Sequence, residues 1–358
     1  MRRYTSYDLI EWGKPFERRE NTLPKPSGAE VLVRVTAAGL CHSDLHVQKG
    51  YMDLGEEGKL TFSERGAKLP MTFGHEIAGV VEAVGPQVSA VNISQQVLVF
   101  PWVGCGDCNA CQEERQSDCS EMRIIGLKQK GGFATHCLVE NEKFLVDIEG
   151  LDAVDVVSHS CSGLTVYNAL EKLGELRGEE WMAIMGCGGL GMNAISIALG
   201  MGFKNIIAVD IDDNKLDAAR EMGATKVLNS RADNAVSLLQ ELAGGRLMGV
   251  LDTFGGVSTS QIAVRALSKT GRYLMVGQAG GDFKIPQVWL PQKAMTVQGS
   301  HVGNLPQLRG LIDMVRAGKI KQIPIDRRPL SHINEAVEDL EQGRVTGRVV
   351  FQPDGIGS

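Results

Sequence analysis

Trp181-Met182-Ala183-Ile184-Met185-Gly186-Cys187-Gly188-Gly189-Leu190-Gly191 joins a short apolar run to a glycine-rich turn, and a small-residue helix pattern follows over about Leu190–Gly202. The glycines stand as G-x-G-x-x-G between an expected strand and an expected helix, the context in which that motif binds a dinucleotide. Gly186 permits a tight turn, Gly188 lets a pyrophosphate approach the backbone, and Gly191 lets helix and strand pack closely. The helix N-terminus then turns its partial positive charge toward the phosphates. The next apolar run, Asn205–Asp210, ends on a carboxylate 19 residues beyond Gly191. An acid there accepts both ribose hydroxyls of the adenosine half and repels a 2′-phosphate. Ile211, Asp212 and Asp213 bring no arginine to hold such a phosphate, so the pattern predicts NAD rather than NADP.

Outward from this motif the second half keeps one rhythm. Helix-like Asn214–Met222 is followed by strand-like Lys226–Leu228, Gly249–Phe254 and Arg272–Val276, with helix-like stretches between them. Strands alternating with helices predict a doubly wound parallel sheet with helices on both faces. The first half reads differently. Ala29–Ala38, Ile77–Val84, Val97–Pro101 and Phe133–Val139 are β-like and closely punctuated by glycine, proline and asparagine, which suggests a small barrel or sandwich. Glu149-Gly150 closes this half, and strand-like Arg348–Phe351 is free to return to either domain. Gly50–Lys68 fits neither rhythm: it holds four acidic residues, three basic ones and four glycines. It reads as a solvated loop, or, from its place in the chain, as a lid or interface.

The 358 residues suffice for two domains, each with its own core. An apolar fraction of 43% with 22% charged residues excludes a wholly disordered chain. The net charge of −6 has no basic block, which argues against nucleic acid or an anionic membrane as partner. No apolar run approaches the ~18 residues of a transmembrane helix. The polar start lacks the apolar core of a signal peptide, so a soluble, cytoplasmic protein is expected.

Four of the eight cysteines, Cys105, Cys108, Cys111 and Cys119, lie within fifteen residues. In a chain of this length with no secretion signal, such spacing favours metal over disulfides. Four thiolates suit a closed tetrahedral zinc site, and Gly104, Gly106, Asp107 and Asn109 are turn formers that let a short loop wrap one ion. Further metal-competent residues stand in Cys41-His42-Ser43-Asp44-Leu45-His46, in Gly74-His75-Glu76 and in Ser160-Cys161.

With these segments in this order, the whole chain resembles the zinc-dependent alcohol dehydrogenases of the medium-chain dehydrogenase/reductase family, above all its prokaryotic tetrameric members. The resemblance implies a Rossmann sheet inserted in a β-rich, GroES-like catalytic domain. The expected division is 1–155 with 295–358 for the catalytic domain and its cysteine lobe, and 156–294 for NAD. Two zinc ions per chain are implied: a catalytic one on Cys41, His75 and Cys161, and a structural one on the four-cysteine lobe. Asp44 matches the carboxylate that fixes the imidazole of His75, and Glu76 a carboxylate able to approach the metal. Ser43 and His46 match a proton relay. His42 and Arg348 match positions meeting the pyrophosphate; Thr165, Val276 and Gly277 match positions near the nicotinamide. Trp102 resembles an aromatic wall of the substrate pocket.

The implied reaction is reversible hydride transfer between a primary or secondary alcohol and NAD, giving an aldehyde or ketone. The partners expected are a small-molecule substrate and other copies of the chain, a tetramer being favoured over a dimer. A polyol dehydrogenase of the same family is the alternative, but many of those carry glutamate where this chain has Cys161. A zinc-free quinone or enoyl reductase on the same fold would lack Cys41, His75 and the cysteine lobe. Two features depart from the common pattern. Cys41 and His75 are 34 residues apart, the excess being the charged segment Gly50–Lys68, and histidines stand at 159 and 301 where apolar residues are common.

Overall fold

The computed structural model describes residues 2–354. Its second half builds a six-stranded sheet, every neighbouring pair parallel, from Trp181–Met185, Ile206–Asp210, Lys226–Asn229, Leu247–Asp252, Arg272–Met275 and Thr296–Gly299. Numbered along the chain, these strands lie in the order 3-2-1-4-5-6. That is the Rossmann order, in which the crevice opens beyond the carboxyl ends of the first and fourth strands. Met182–Met185 are fully buried, as a near-continuous apolar run flanked by helices on both faces requires. The helices Gly189–Gly200 and Asp213–Met222 begin one residue before their sequence signals. The sixth strand lies beyond residue 294, so the parallel sheet extends past the expected end of that domain.

The first half is organised on the strand Val31–Gly39, which pairs antiparallel with Glu76–Val84, with His136–Val139 and with Arg348–Gln352. The last of these returns the end of the chain to the first domain, a choice the sequence left open. Gln96–Val99, Leu145–Asp147 and Ile325–Pro329 complete a seven-stranded sheet, and Arg3–Leu9, Glu17–Thr22 and Met71–Thr72 form a smaller one. Phe133 joins their core, its ring edge-on to Phe16 and to Phe351 at 5.7 Å from each.

Gly50–Lys68 is not an irregular loop. Tyr51–Asp53 and Lys59–Thr61 pair as a short antiparallel hairpin, with one tight turn of helix at Gly55–Glu57 between them. Strands of three residues carry too little alternation to be seen in sequence. Among the described residues no helix is long and apolar enough to cross a membrane.

Candidate active site

Three separate parts of the chain bring Cys41, His75 and Cys161 together. Cys41 opens the helix His42–Lys49, where Asp44 accepts the Cys41 backbone N–H at 2.9 Å and so fixes the entry of the chain. His75 immediately precedes the strand Glu76–Val84, and Cys161 precedes the helix Ser162–Leu173. Cys41 Sγ lies 3.9 Å from Cys161 Sγ, too far for a disulfide, and His75 Nε2 lies 3.2 Å from Cys161 Sγ. These three donors and a Glu76 oxygen all fall within 4.8 Å of one another, and all four residues are buried.

The imidazole is oriented from behind. His75 Nδ1 is 3.4 Å from Asp44 Oδ1, a buried oxygen with no hydrogen-bond partner among the described residues. A proton on Nδ1 would satisfy that oxygen and leave the Nε2 lone pair facing the thiols, the tautomer a metal ligand needs. Burial alone would lower the affinity of His75 for a proton; the Asp44 carboxylate outweighs it and raises the pKa. Cys161, with Arg348 and His75 behind it, holds the Cys41 thiol well below its ordinary range despite burial. Two thiols, one of them lowered, and one oriented imidazole fit Zn²⁺.

Glu76, one oxygen of which stands within this group, is also held by Arg348. The guanidinium grips both carboxylate oxygens, Nε donating to Oε2 at 2.9 Å, and both residues are buried. Burial pushes the Glu76 carboxyl up to about 7 against the pull of Arg348. Gly39 makes room for the pair, since a Cβ there would overlap Glu76. The remaining nitrogen of Arg348 reaches the dinucleotide loop: a Cβ on Gly189 would sit 3.4 Å from Nη1. Arg348 therefore spans from the metal-competent centre to the glycine turn.

That turn has the expected form. Gly186 has φ +94°, a Cβ on Gly191 would strike Gly186 O at 1.9 Å, and a Cβ on Gly188 would meet nothing within 4 Å. The first two observations explain the turn and the helix–strand packing; the third leaves open space where a phosphate would approach. Asp210 Oδ2 accepts Cys187 N–H at 2.6 Å, and Oδ1 accepts Ile211 and Asp212 N–H at 2.7 and 3.0 Å. The carboxylate is thereby aimed, with lone pairs left for ribose hydroxyls. These features fit a dinucleotide.

One cleft of about 490 Å³ joins the two regions. Cys41, His42, Ser43, His46, His75, Trp102, Cys161, Thr165, Gly186, Gly188, Asp210, Val276, Gly277 and Arg348 all line it. Ser43 and His46 share one face of their helix at i, i+3, and Ser43 Oγ is 3.5 Å from His75 Nε2. The His42 and His46 rings meet edge-on at 5.5 Å. Burial, with His42 adding to it, lowers the pKa of His46. Trp102 donates its indole N–H to Ser160 O at 2.9 Å, which holds its ring 5.6 Å from His75 and 6.0 Å from His301.

The two unusual histidines part company. His301 lines the cleft, whereas His159 is buried outside it, its pKa lowered by burial to about 4. Sequence reading passed over Lys215, Ile211 and Phe254, which line the dinucleotide end. Exposed apolar residues beside a glycine loop were the available signal: Ile211 is 54% and Phe254 49% exposed.

The cysteine lobe is self-contained. The sulfurs of Cys105, Cys108, Cys111 and Cys119 lie within 4.8 Å of one another. Cys105 and Cys111 are 3.9 Å apart, and the described cysteines are all free. N–H donors of Asp107 and Cys108 lower Cys105 to about 6, while burial lifts Cys111 to about 12. The amide donors thus favour negative sulfur at Cys105, whereas Cys111 would need the charge of a bound ion itself, and four such sulfurs suit a structural zinc.

Residues 27–150 match the model of the alcohol dehydrogenase GroES-like domain, and residues 189–317 match that of zinc-binding dehydrogenases. The chain is 35% identical over 348 residues to an NAD-dependent alcohol dehydrogenase of Sulfurisphaera tokodaii, covering 96% of this chain and 99% of that one. An NAD-dependent alcohol dehydrogenase of Saccharolobus solfataricus is 34% identical over the same shares. The crystal structure of the alcohol dehydrogenase from Aeropyrum pernix superposes with a TM-score of 0.90 at 30% identity, over 98% of this chain and all of that one.

Proposed function

The chain belongs to the family of zinc- and NAD-dependent alcohol dehydrogenases, and we propose that its reaction runs at Cys41, His75 and Cys161, against NAD held by the Gly186–Gly191 turn. The observation that carries this assignment is one cleft containing both the buried three-donor centre and the dinucleotide turn. The reaction is reversible oxidation of a small alcohol to an aldehyde or ketone.

Each residue then has a task. Cys41, His75 and Cys161 hold the catalytic zinc, and Asp44 keeps the imidazole in the ligating tautomer. Zinc, when bound, supplies a Lewis acid that acidifies the substrate hydroxyl, and NAD⁺ supplies the hydride acceptor. Ser43 takes the hydroxyl proton, and His46, one helical turn on, passes it outward. Burial keeps His46 in its neutral, proton-accepting form below the usual histidine range. Thr165, Val276 and Gly277 place the nicotinamide, His42 and the outer nitrogen of Arg348 meet the pyrophosphate, and Asp210 takes the ribose hydroxyls. Glu76 anchors Arg348 and keeps an oxygen close enough to approach the metal. Trp102 walls the substrate and excludes water. Cys105, Cys108, Cys111 and Cys119 hold a second, structural zinc.

The domain division this supports is 1–155 with 300–358, against 156–299. A homo-oligomer is favoured by the outer strand Thr296–Gly299, whose four residues are all exposed and whose free edge can pair with a second copy, and a tetramer is the form the family resemblance implies. A cytoplasmic location accords with eight cysteines and no disulfide among the described residues. The test is NADH formation with a panel of primary and secondary alcohols, before and after chelation. Absence of NADH formation across the panel in zinc-replete protein overturns the assignment.

A further inference from the structure

The hairpin that follows the helix His42–Lys49 is fixed at both ends. On its outer side Glu56 meets Lys284 Nζ at 2.6 Å and donates its backbone N–H to Asp282 at 3.0 Å, so the tip is tied to the nucleotide-binding half. On its inner side Phe62 is buried and stacks on Trp12, their centroids 6.5 Å apart. Three residues beyond Phe62 the exposed Arg65 enters the lining of the cleft. Its Nη1 lies 3.4 Å from Met52 Sδ, and its guanidinium stands 5.6 Å from the Phe62 ring centre.

What Arg65 lacks is an anion. No carboxylate among the described residues forms an ion pair with it. Its neighbour Glu64 is turned back to accept from Thr61 N and Oγ1 at 2.9 and 2.6 Å. Two carboxylates outside the zinc centre line the cleft. Asp210 is held by backbone amides at the ribose end, and Glu341 is paired with Lys49 at 2.7 Å. Met52 and Phe62 beside Arg65 are apolar, and His301, also in the lining, lies near enough for the arginine's charge to add to burial in lowering its pKa. A cleft that carries an exposed, unpaired guanidinium beside apolar side chains recognises an apolar stem with an anionic end.

We propose that this cleft selects alcohols and aldehydes that carry a carboxylate or phosphate at the end remote from the reacting carbon, with Arg65 as the residue that binds the anion. This rests on the alcohol dehydrogenase assignment and adds a substrate class to it.

The test compares zinc-replete wild type with R65Q and R65E on hexanol, ω-hydroxyhexanoate and the monophosphate of hexanediol. In wild type kcat/KM favours at least one anionic alcohol over hexanol by about tenfold, and which one leads distinguishes carboxylate from phosphate. The anionic-to-neutral ratio falls about tenfold in R65Q and further in R65E, through KM rather than kcat, and the wild-type preference shrinks with added salt. A ratio that is the same in wild type and R65E overturns the proposal, as does a wild-type preference for hexanol. If no alcohol of the set reduces NAD⁺, the dehydrogenase assignment fails separately. The anion site is then judged by calorimetric titration of adipate into the NADH-loaded holoenzyme: binding lost in R65E supports it, and equal or absent binding overturns it.

Discussion

Two groups of sulfur donors in this molecule are built on opposite plans. The lobe takes all four donors from residues 105–119, and its turns and amide donors come from the same stretch. The proposed catalytic centre takes Cys41, His75 and Cys161 from positions as much as 120 residues apart, and its supports from farther still. The first needs only a loop; the second needs two strands, two helices and the returning end of the chain. A local site is therefore coupled to the stability of one loop, whereas a dispersed site is coupled to the geometry of the whole domain. Substrate chemistry belongs to the second kind, because an open metal position must face a cleft that only a completed fold provides.

The largest effect should come from exchanging a ligand in each. Cys161→Ala is expected to cut alcohol oxidation by about a thousandfold or more while the circular dichroism spectrum stays native. Cys111→Ala should instead lower the melting temperature and loosen the lobe, with activity falling as the fold does, because a structural zinc contributes folding energy directly. Thermal melts and initial rates on both variants read the contrast. A Cys161→Ala protein that turns over normally would break it.

Chelation sharpens the same point in one sample. Brief treatment should remove activity and one zinc before any change in fold, since the closed four-thiolate site gives up its ion more slowly than one with three protein ligands. Metal analysis alongside the rate should show two zinc ions per chain at the start. Fewer than two after full reconstitution would refute the two-site plan.

A smaller effect is expected at the dinucleotide end. Asp210→Gly should shift the ratio of kcat/KM for NAD over NADP by about a hundredfold toward NADP. Three backbone amides also lose their acceptor in this variant, so some loss of stability should accompany the shift.

The smallest effect concerns His46. Its lowered pKa means that the neutral base persists to lower pH than in an ordinary histidine and is lost as pH falls further. His46→Gln should therefore depress kcat/KM by about tenfold at about pH 6–7 and progressively less toward about pH 9, where hydroxide and buffer replace it. A ratio of variant to wild type that is flat across that range argues that His46 only packs. Zinc content is the control.

The contrast between local and dispersed sites also explains what could be read before any coordinates. The lobe, the glycine turn and Asp210 are local patterns with fixed spacing, and their backbones take the form the spacing predicts. The catalytic ligands were legible only through family resemblance, because nothing in spacing joins residue 41 to residue 161. The Glu76–Arg348 pair was missed as a pair for the same reason: 272 residues separate its members, and the sequence suggested a separate task for each. The hairpin in Gly50–Lys68 was hidden for a different reason. Its strands are three residues long, and the contacts that hold it come from Trp12, Asp282 and Lys284 rather than from its own pattern.

The pairing of Arg348–Gln352 with Val31–Gly39 has a consequence for biosynthesis. On the ribosome Glu76 is made 272 residues ahead of Arg348. At about 5–20 residues per second that is a wait of roughly 15–50 s. Through this interval the carboxylate destined for the interior has no cation, and burying it alone would be strongly unfavourable. The central strand meanwhile keeps an edge open where the last strand will pair. The parallel sheet, whose strands emerge together, can close in the meantime. The first half must stay open or be shielded until the final strand clears the exit tunnel. Premature termination only a few residues before Arg348 would thus leave a folded nucleotide-binding half tethered to a segment unable to complete its core, a species for chaperones and proteases rather than a slightly shortened enzyme.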